Sequence, residues 1–172
     1  GWVDVDLTEQ GELEAKKAGS LIKDKNIQIN HLYSSLQIRA NNTLKIIQKV
    51  LNNNQNFVRA WQLNERHYGA LTGLNKIEII PDTKSLKDTY ERVLKYFKDE
   101  IQKKIIKENV LISAHGNSIR ALCKYLFKLD NEQISSLEVP TGNPLVIELN
   151  KELKITECEY LDKERSKSLL VF

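Results

Sequence analysis

Apolar residues recur along this chain with two different periods. Between 9 and 24, Ala15, Ala18 and Ile22 fall on one face at three- and four-residue steps, and Thr8 stands where a helix cap belongs. Ala40, Leu44, Ile47 and Leu51 predict a second helix over about 36–52, ended by the turn-forming run Asn52, Asn53, Asn54. The longest stripe is Leu86, Tyr90, Val93, Phe97, Ile101 and Ile105. It predicts a helix near 86–107, with Ser85 and Asp88 at a capped start. Ile119, Leu122, Cys123 and Leu126 mark another helix, and Asp130 to Ser135 a short one. Apolar runs of strand length lie between these: Ile27 to Tyr33, Phe57 to Leu63, and Asn109 to Ser113. The last is expected to be buried on both sides. Two final strands, about 145–149 and 154–160, are spaced as a hairpin.

Strands that alternate with helices predict an α/β sandwich with a largely parallel sheet. No internal repeat, low-complexity tract or linker divides the chain. One domain is expected over 1–160, and a charged tail, expected to be mobile, over 161–172. The segment Asn64 to Lys76, with glycines at 69 and 73, reads as a loop, and Pro81 with Asp82 marks a break.

Composition narrows the partners. The chain has 172 residues, 41% hydrophobic and 28% charged, which suits a single globular domain. Its 26 basic and 23 acidic residues leave a net charge of only +3. That balance argues against nucleic acid as a partner, although a small anionic ligand needs only a few placed arginines. Cys123 and Cys158 stand far apart and outside any C-x-x-C pattern, so neither a disulfide framework nor a zinc site is expected, and a reducing compartment is. No apolar run approaches the roughly 18 residues of a membrane span, and no leader pattern opens the chain. The cytoplasm is the expected location. The chain contains no methionine and begins at Gly1, so further residues are expected before it.

Three stretches carry candidate chemistry. His115 leaves the apolar strand where ligands gather in open α/β sheets, beyond the strands' carboxyl ends. Gly116 there allows backbone close to a ligand, and Asn117 or Ser118 opens a helix whose first amides favour an anion such as phosphate. The plainer reading of His115 is a histidine that caps a turn. Arg39 follows the first strand near a helix start, and its guanidinium fork suits phosphate; a solvated helix charge is the alternative. In Asn64-Glu65-Arg66-His67-Tyr68-Gly69, Glu65 offers a general acid or base, and Arg66 and Tyr68 offer phosphate contacts. An irregular surface loop with a local Glu–Arg pair is the alternative there. His31 belongs to no cluster and reads as structural, and Trp2 and Trp61 read as packing residues.

Taken together these stretches resemble one family. Gly1 to Gly11 (GWVDVDLTEQG) resembles the start of the bisphosphoglycerate-dependent phosphoglycerate mutases of the histidine phosphatase superfamily. Tyr33 to Thr43 resembles the family's TSxLxRAxxT stretch, and Asn64 to Lys76 (NERHYGALTGLNK) a loop diagnostic of the mutases. His115 to Ala121 (HGNSIRA) resembles the second catalytic histidine segment, and Pro140 to Leu149 (PTGNPLVIEL) the late turn and strand. The resemblance covers nearly the whole chain to about residue 160. It implies a three-layer α/β/α sandwich and a mutase that converts 3-phosphoglycerate and 2-phosphoglycerate through a phosphohistidine. 2,3-Bisphosphoglycerate would be the priming donor, and no metal is needed. Glu65 then matches the proton donor and acceptor, and His115 the histidine that stabilises the phosphoryl transition state. Arg39 matches the clamp on the phosphoryl group, and Gly1, Arg66, His67, Tyr68, Lys76, Gly116 and Asn117 line the substrate site. The partners implied are small phosphorylated three-carbon acids, with no nucleic acid and no membrane, and the family's habit is a homodimer or homotetramer.

The chain departs from that family in two places. The RHG motif with the nucleophilic histidine belongs before Gly1, and His31, His67 and His115 cannot replace it. After Lys76 the family carries a long segment with an arginine pair for the substrate; here Ile77 to Lys84 leads almost directly to Ser85-Leu86-Lys87-Asp88-Thr89, which resembles the family's ESLKDT. Two other readings therefore stand beside the mutase: a broad phosphomonoester phosphatase, and a truncated, inactive homologue that keeps only an anion pocket.

Overall fold

The structure, a computed structural model, describes residues 1–68 and 86–166. Helix α1 (Glu9–Asp24) starts at Thr8, whose Oγ1 accepts from Gly11 N at 3.1 Å, and it buries Ala15, Ala18 and Ile22. Strand β1 is His31–Ser34. Helix α2 (Ile38–Leu51) buries Ala40, Leu44 and Ile47, and Asn52 ends it in the left-handed conformation (φ 52°) that asparagine tolerates. Strand β2 is only Val58–Arg59, and the chain then tightens into a 3-10 turn over Trp61–Leu63, so the strand expected to reach Leu63 is shorter.

The long helix is present but not uniform. It comprises α3 (Leu86–Tyr96), a wide π-type stretch over Phe97–Ile101, and α4 (Gln102–Ile105). Val93, Phe97 and Ile101, spaced four apart throughout, are fully buried, whereas Leu86 at the head of the expected stripe is 42% exposed. Strand β3 (Val110–Ser113) leads into α5 (Gly116–Leu126), and α6 (Asn131–Ser136) carries a capping box between Asp130 and Gln133. Strands β4 (Leu145–Leu149) and β5 (Ile155–Tyr160) form an antiparallel hairpin.

The sheet order is β2-β1-β3, with both pairings parallel. Side chains of a strand alternate between faces, and the two core clusters record this. Tyr33, Val110 and Ile112 pack with Val93, Phe97, Ile101 and Leu122. Leu111 packs on the other face with Ala18, Ile22 and Ile47. Helices α1 and α2 thus cover one face and α3 and α5 the other, giving the three-layer sandwich with a parallel sheet. The β4–β5 hairpin stands as a separate sheet, and among the described residues β3 pairs only with β1. Residues 110–112 are accordingly half-buried rather than enclosed on both sides.

The chain beyond β5 is fastened as far as it is described. Asp162, 5% exposed, exchanges hydrogen bonds with Asn143 (3.0 and 2.9 Å) and pairs with Lys17 at 2.5 Å. The Asn143 amide clasps the Asp162 main chain and Lys17 its buried carboxylate, and together they hold this start of the tail against the body, so the first half of the expected mobile tail is anchored. Among the described residues, no helix is long and apolar enough to cross a membrane.

Candidate functional site

The register explains why distant residues meet. Ser34 pairs with Arg59 on one side and with Ser113 on the other, so all three strands end at one level. Just past that level the backbones still touch: Ser35 N donates to Ser113 O (3.3 Å) and Ala60 N to Ser34 O (2.9 Å). Ser35, the 3-10 turn after β2, and Ala114-His115 therefore leave the sheet side by side.

His115 is 7% exposed, and its Nε2 lies 2.8 Å from Ser35 Oγ. Ser35 Oγ also accepts from Gln37 N (3.1 Å), which leaves its own proton free for the imidazole. Burial pushes the His115 pKa down to about 3, and the nearby positive charges, Arg39 first and Arg92 among the rest, push the same way. The imidazole is thus neutral at pH 7, with guanidinium groups nearby. It precedes α5, which begins without a side-chain cap. A Cβ built on Gly116 would meet nothing within 4 Å, so packing does not demand glycine there.

Arg39 reaches back to the start of the chain. Its Nη2 donates to Gly1 O and its Nη1 to Val3 O, both at 3.0 Å. Gln37 Nε2 shares Gly1 O at 2.9 Å, and Asp4 Oδ1 takes Ile38 N at 2.7 Å, which satisfies an amide at the head of α2. Gly1 needs its small size: an added Cβ would stand 2.9 Å from Tyr68 Cδ2.

The loop residues complete the cluster. Glu65 Oε1 accepts from Arg66 N (2.7 Å) and from Asn117 Nδ2 (2.8 Å), and the same Nδ2 lies 3.3 Å from Tyr68 OH. The Arg66 guanidinium stands over the Tyr68 ring at 5.4 Å. His67 is exposed and meets Trp2 edge-on at 5.2 Å. Trp2 is no core residue; it is 42% exposed, and its Nε1 donates to Glu65 O at 2.6 Å. Gly1, Arg39, Glu65, Arg66, Tyr68, His115 and Asn117 are thus linked in one cluster, with His67 at its rim and Gly116 beside it. Lys76 lies outside the described residues. His31 sits at the opposite end of β1, with Nε2 2.5 Å from Glu108 Oε2.

Sequence reasoning missed Ser35, Gln37 and Arg92. A serine directly after a strand, beside a histidine directly after the neighbouring strand, is a readable signal for Ser35. Arg92 gave none, because it reads as one more helix cation.

Comparison with known proteins decides the family. The sequence profile of the "Histidine phosphatase superfamily (branch 1)" matches residues 1–84 and 78–157. A Pelagibacter ubique protein named "2,3-bisphosphoglycerate-dependent phosphoglycerate mutase" is 52% identical, covering 100% of this chain and 91% of its own length. The chain belongs to the histidine phosphatase superfamily. A Caulobacter vibrioides relative of the same name is 40% identical over 98% of this chain and 90% of its own. Among solved structures, Bacillus stearothermophilus YhfR superposes with a TM-score of 0.76 at 20% identity, covering 90% of this chain and 84% of that one. A mycobacterial glucosyl-3-phosphoglycerate phosphatase in complex with VO3 gives 0.71 at 20% identity, covering 93% and 87%. These two show the shared histidine phosphatase fold.

The same comparison locates the shortening in this histidine phosphatase. The Pelagibacter alignment runs over 217 positions against 172 residues, so at least 45 positions face no residue of this chain. The family profile ends one stretch at 84 and restarts at 78, which places the break just beyond Lys76.

Proposed function

We propose that this chain is the catalytic domain, over about 1–160, of a cytoplasmic phosphoglycerate mutase that interconverts 3-phosphoglycerate and 2-phosphoglycerate. 2,3-Bisphosphoglycerate primes it with a phosphoryl group, and the nucleophilic histidine comes from the RHG segment that the family carries before the position of Gly1. The observation that carries the reading is the Glu65 carboxylate, held by Asn117 in the same cluster as the buried His115 and the Arg39 fork.

Each residue has work suited to its surroundings. Arg39 and Arg66 attract the phosphoryl dianion, as does the head of α5. His115 is neutral because it is buried, with positive charges beside it; an arriving phosphoryl dianion offsets those charges and favours an imidazolium protonated from solvent, which stabilises charge on the transferring oxygens. Glu65 exchanges the proton of the glycerate hydroxyl that gives or receives the phosphoryl group. Among the described residues no hydrogen bond engages its Oε2, which leaves that oxygen for the transfer. Tyr68, His67, Asn117 and Gly1 shape the wall around the three-carbon acid, and Lys76 adds a cation. A homodimer or homotetramer fits the outer edge of β2, which no strand covers among the described residues and where Val58 is 47% exposed, near Trp61 at 48%.

A second reading is hydrolysis, with water as the final acceptor. The unmatched positions beyond Lys76 favour it, because the family's arginine pair lies in that segment and a glycerate with fewer contacts leaves sooner. The test is a product assay on the full-length protein with 3-phosphoglycerate and catalytic 2,3-bisphosphoglycerate. Formation of 2-phosphoglycerate well above release of inorganic phosphate is expected. Phosphate release without 2-phosphoglycerate would replace the mutase by the phosphatase, and neither product would leave only an anion pocket.

A further inference from the structure

The least expected group at the site is Arg92, one helical residue among many cations in sequence. Its guanidinium turns away from solvent and collects backbone oxygens. Nη1 donates to Gln62 O at 2.5 Å and lies 3.3 Å from Trp61 O; Nη2 donates to Asn64 O at 2.7 Å and to Glu65 O at 3.0 Å. Trp61 O already accepts the Asn64 amide that closes the 3-10 turn, and the carbonyls of Gln62, Asn64 and Glu65 follow along the same stretch of main chain. No carboxylate pairs with Arg92 among the described residues. Burial pulls its pKa below the ordinary arginine value, and the nearby charge of Glu65 is what opposes the shift. A half-buried cation that spends its donors on main-chain oxygens fixes the path of that main chain.

The path in question carries Glu65. Its carbonyl is held by Arg92 and by Trp2 Nε1, its amide by Gln37 Oε1 at 2.9 Å, and the preceding carbonyl by Ser118 Oγ at 2.7 Å. Arg92 alone contacts four carbonyls along the segment. Only a planar fork spans them; a lysine ammonium is a single point and reaches one or two.

We infer that Arg92 is a positioning residue for the proton-transfer step, setting the backbone of residues 61–65 so that the Glu65 carboxylate meets Asn117 and the substrate hydroxyl. This rests on the reading of Glu65 as the acid and base. Arg92 acts through Glu65 and does not touch the reacting atoms.

A double-mutant cycle on the full-length protein tests it, using R92Q, R92K, E65Q and the two double variants. A displacement of about 1 Å at a catalytic group costs about 100-fold, so kcat of R92Q is expected to fall about 10- to 100-fold, with KM within about threefold. R92K should fall between R92Q and the wild type. In the E65Q background, changing Arg92 should cost less than about twofold further in kcat, because its route to the chemistry is already cut. Additive losses, or an R92Q kcat within twofold of the wild type, would overturn the inference while leaving the Glu65 reading intact. Wild-type kcat in E65Q would instead remove that reading, and the inference with it. If R92Q does not fold, the R92K arm decides by the same criteria. The chain's two tryptophans, Trp2 and Trp61, both adjoin this segment, so their emission is expected to shift in R92Q and to move less in R92K.

Discussion

The strand pair β1–β3 carries a histidine at each end, and the two live in opposite surroundings. His31 opens β1 opposite Val110, and its side chain is 27% exposed beside a carboxylate, Glu108, that is 48% exposed. His115 leaves the other end of β3, buried, with a hydroxyl for its partner and guanidinium groups for its neighbours. One is already answered by the protein. The other is buried without a counter-charge, beside guanidinium groups that an anion would answer. A perturbed histidine with no carboxylate to explain it points to a ligand, whereas an exposed, paired one explains itself.

The sharpest way to break this contrast is to remove each imidazole in turn. H115Q is expected to lower kcat/KM of the full-length protein by about 100- to 1,000-fold, the loss typical of one transition-state donor. H31Q, at the far end of the same strands, should stay within about twofold, as a surface change does. Similar losses from both would show that the difference in environment does not separate function from structure.

The next effect is on stability and has a definite sign. The folded protein holds His115 near a pKa of about 3, below the roughly 6.5 of an unfolded chain. Below pH 6.5 the unfolded state binds a proton that the folded state refuses, so stability present above that pH is lost as pH falls toward 3. The slope is about 1.4 kcal/mol per pH unit, and the loss at pH 5 relative to pH 7.5 is about 2 kcal/mol. Urea unfolding at the two pH values checks it. H115Q should remove that part of the pH dependence, and an unchanged slope in H115Q would assign the acid sensitivity to other groups.

Much of this site was legible because strand ends are legible. His115 follows a four-residue apolar strand, and Arg39 and Glu65 follow the two others, so parallel pairing alone brings them to one edge. The helices were legible for a similar reason: the stripes of α1 and α2 repeat without interruption, and their caps at Thr8 and Asn52 stand where the residues suggested. The failures share a different cause. β2 stops at Arg59, and the main chain then turns with its carbonyls toward Arg92, a residue 31 positions beyond Trp61. Asp162 is anchored by Asn143 and Lys17, partners 19 and 145 positions away. A charged tail and a helix cation carry no local mark of such partners. The half-burial of β3 likewise depends on what pairs with its second edge, which no residue within the strand records.

The smallest expected effect tests the quiet end of the comparison. E108Q removes the carboxylate that faces His31 Nε2 and leaves a hydrogen bond possible, so it should cost only about 0.2–1 kcal/mol. Exposed charges are screened within about 8 Å at physiological salt, so the cost should shrink further in 1 M salt. Turnover should not change. Unfolding curves of E108Q and the wild type at low and high salt measure this directly. A cost above about 2 kcal/mol that salt does not reduce, or a loss of turnover, would mean that the pair is coupled through β1 and β3 to Ser35 and His115. The strands would then transmit strain between the ends, and the far histidine would belong to the machinery after all. A small, salt-sensitive cost would instead confine the chemistry to the carboxyl edge, where neutral His115 stands among guanidinium groups.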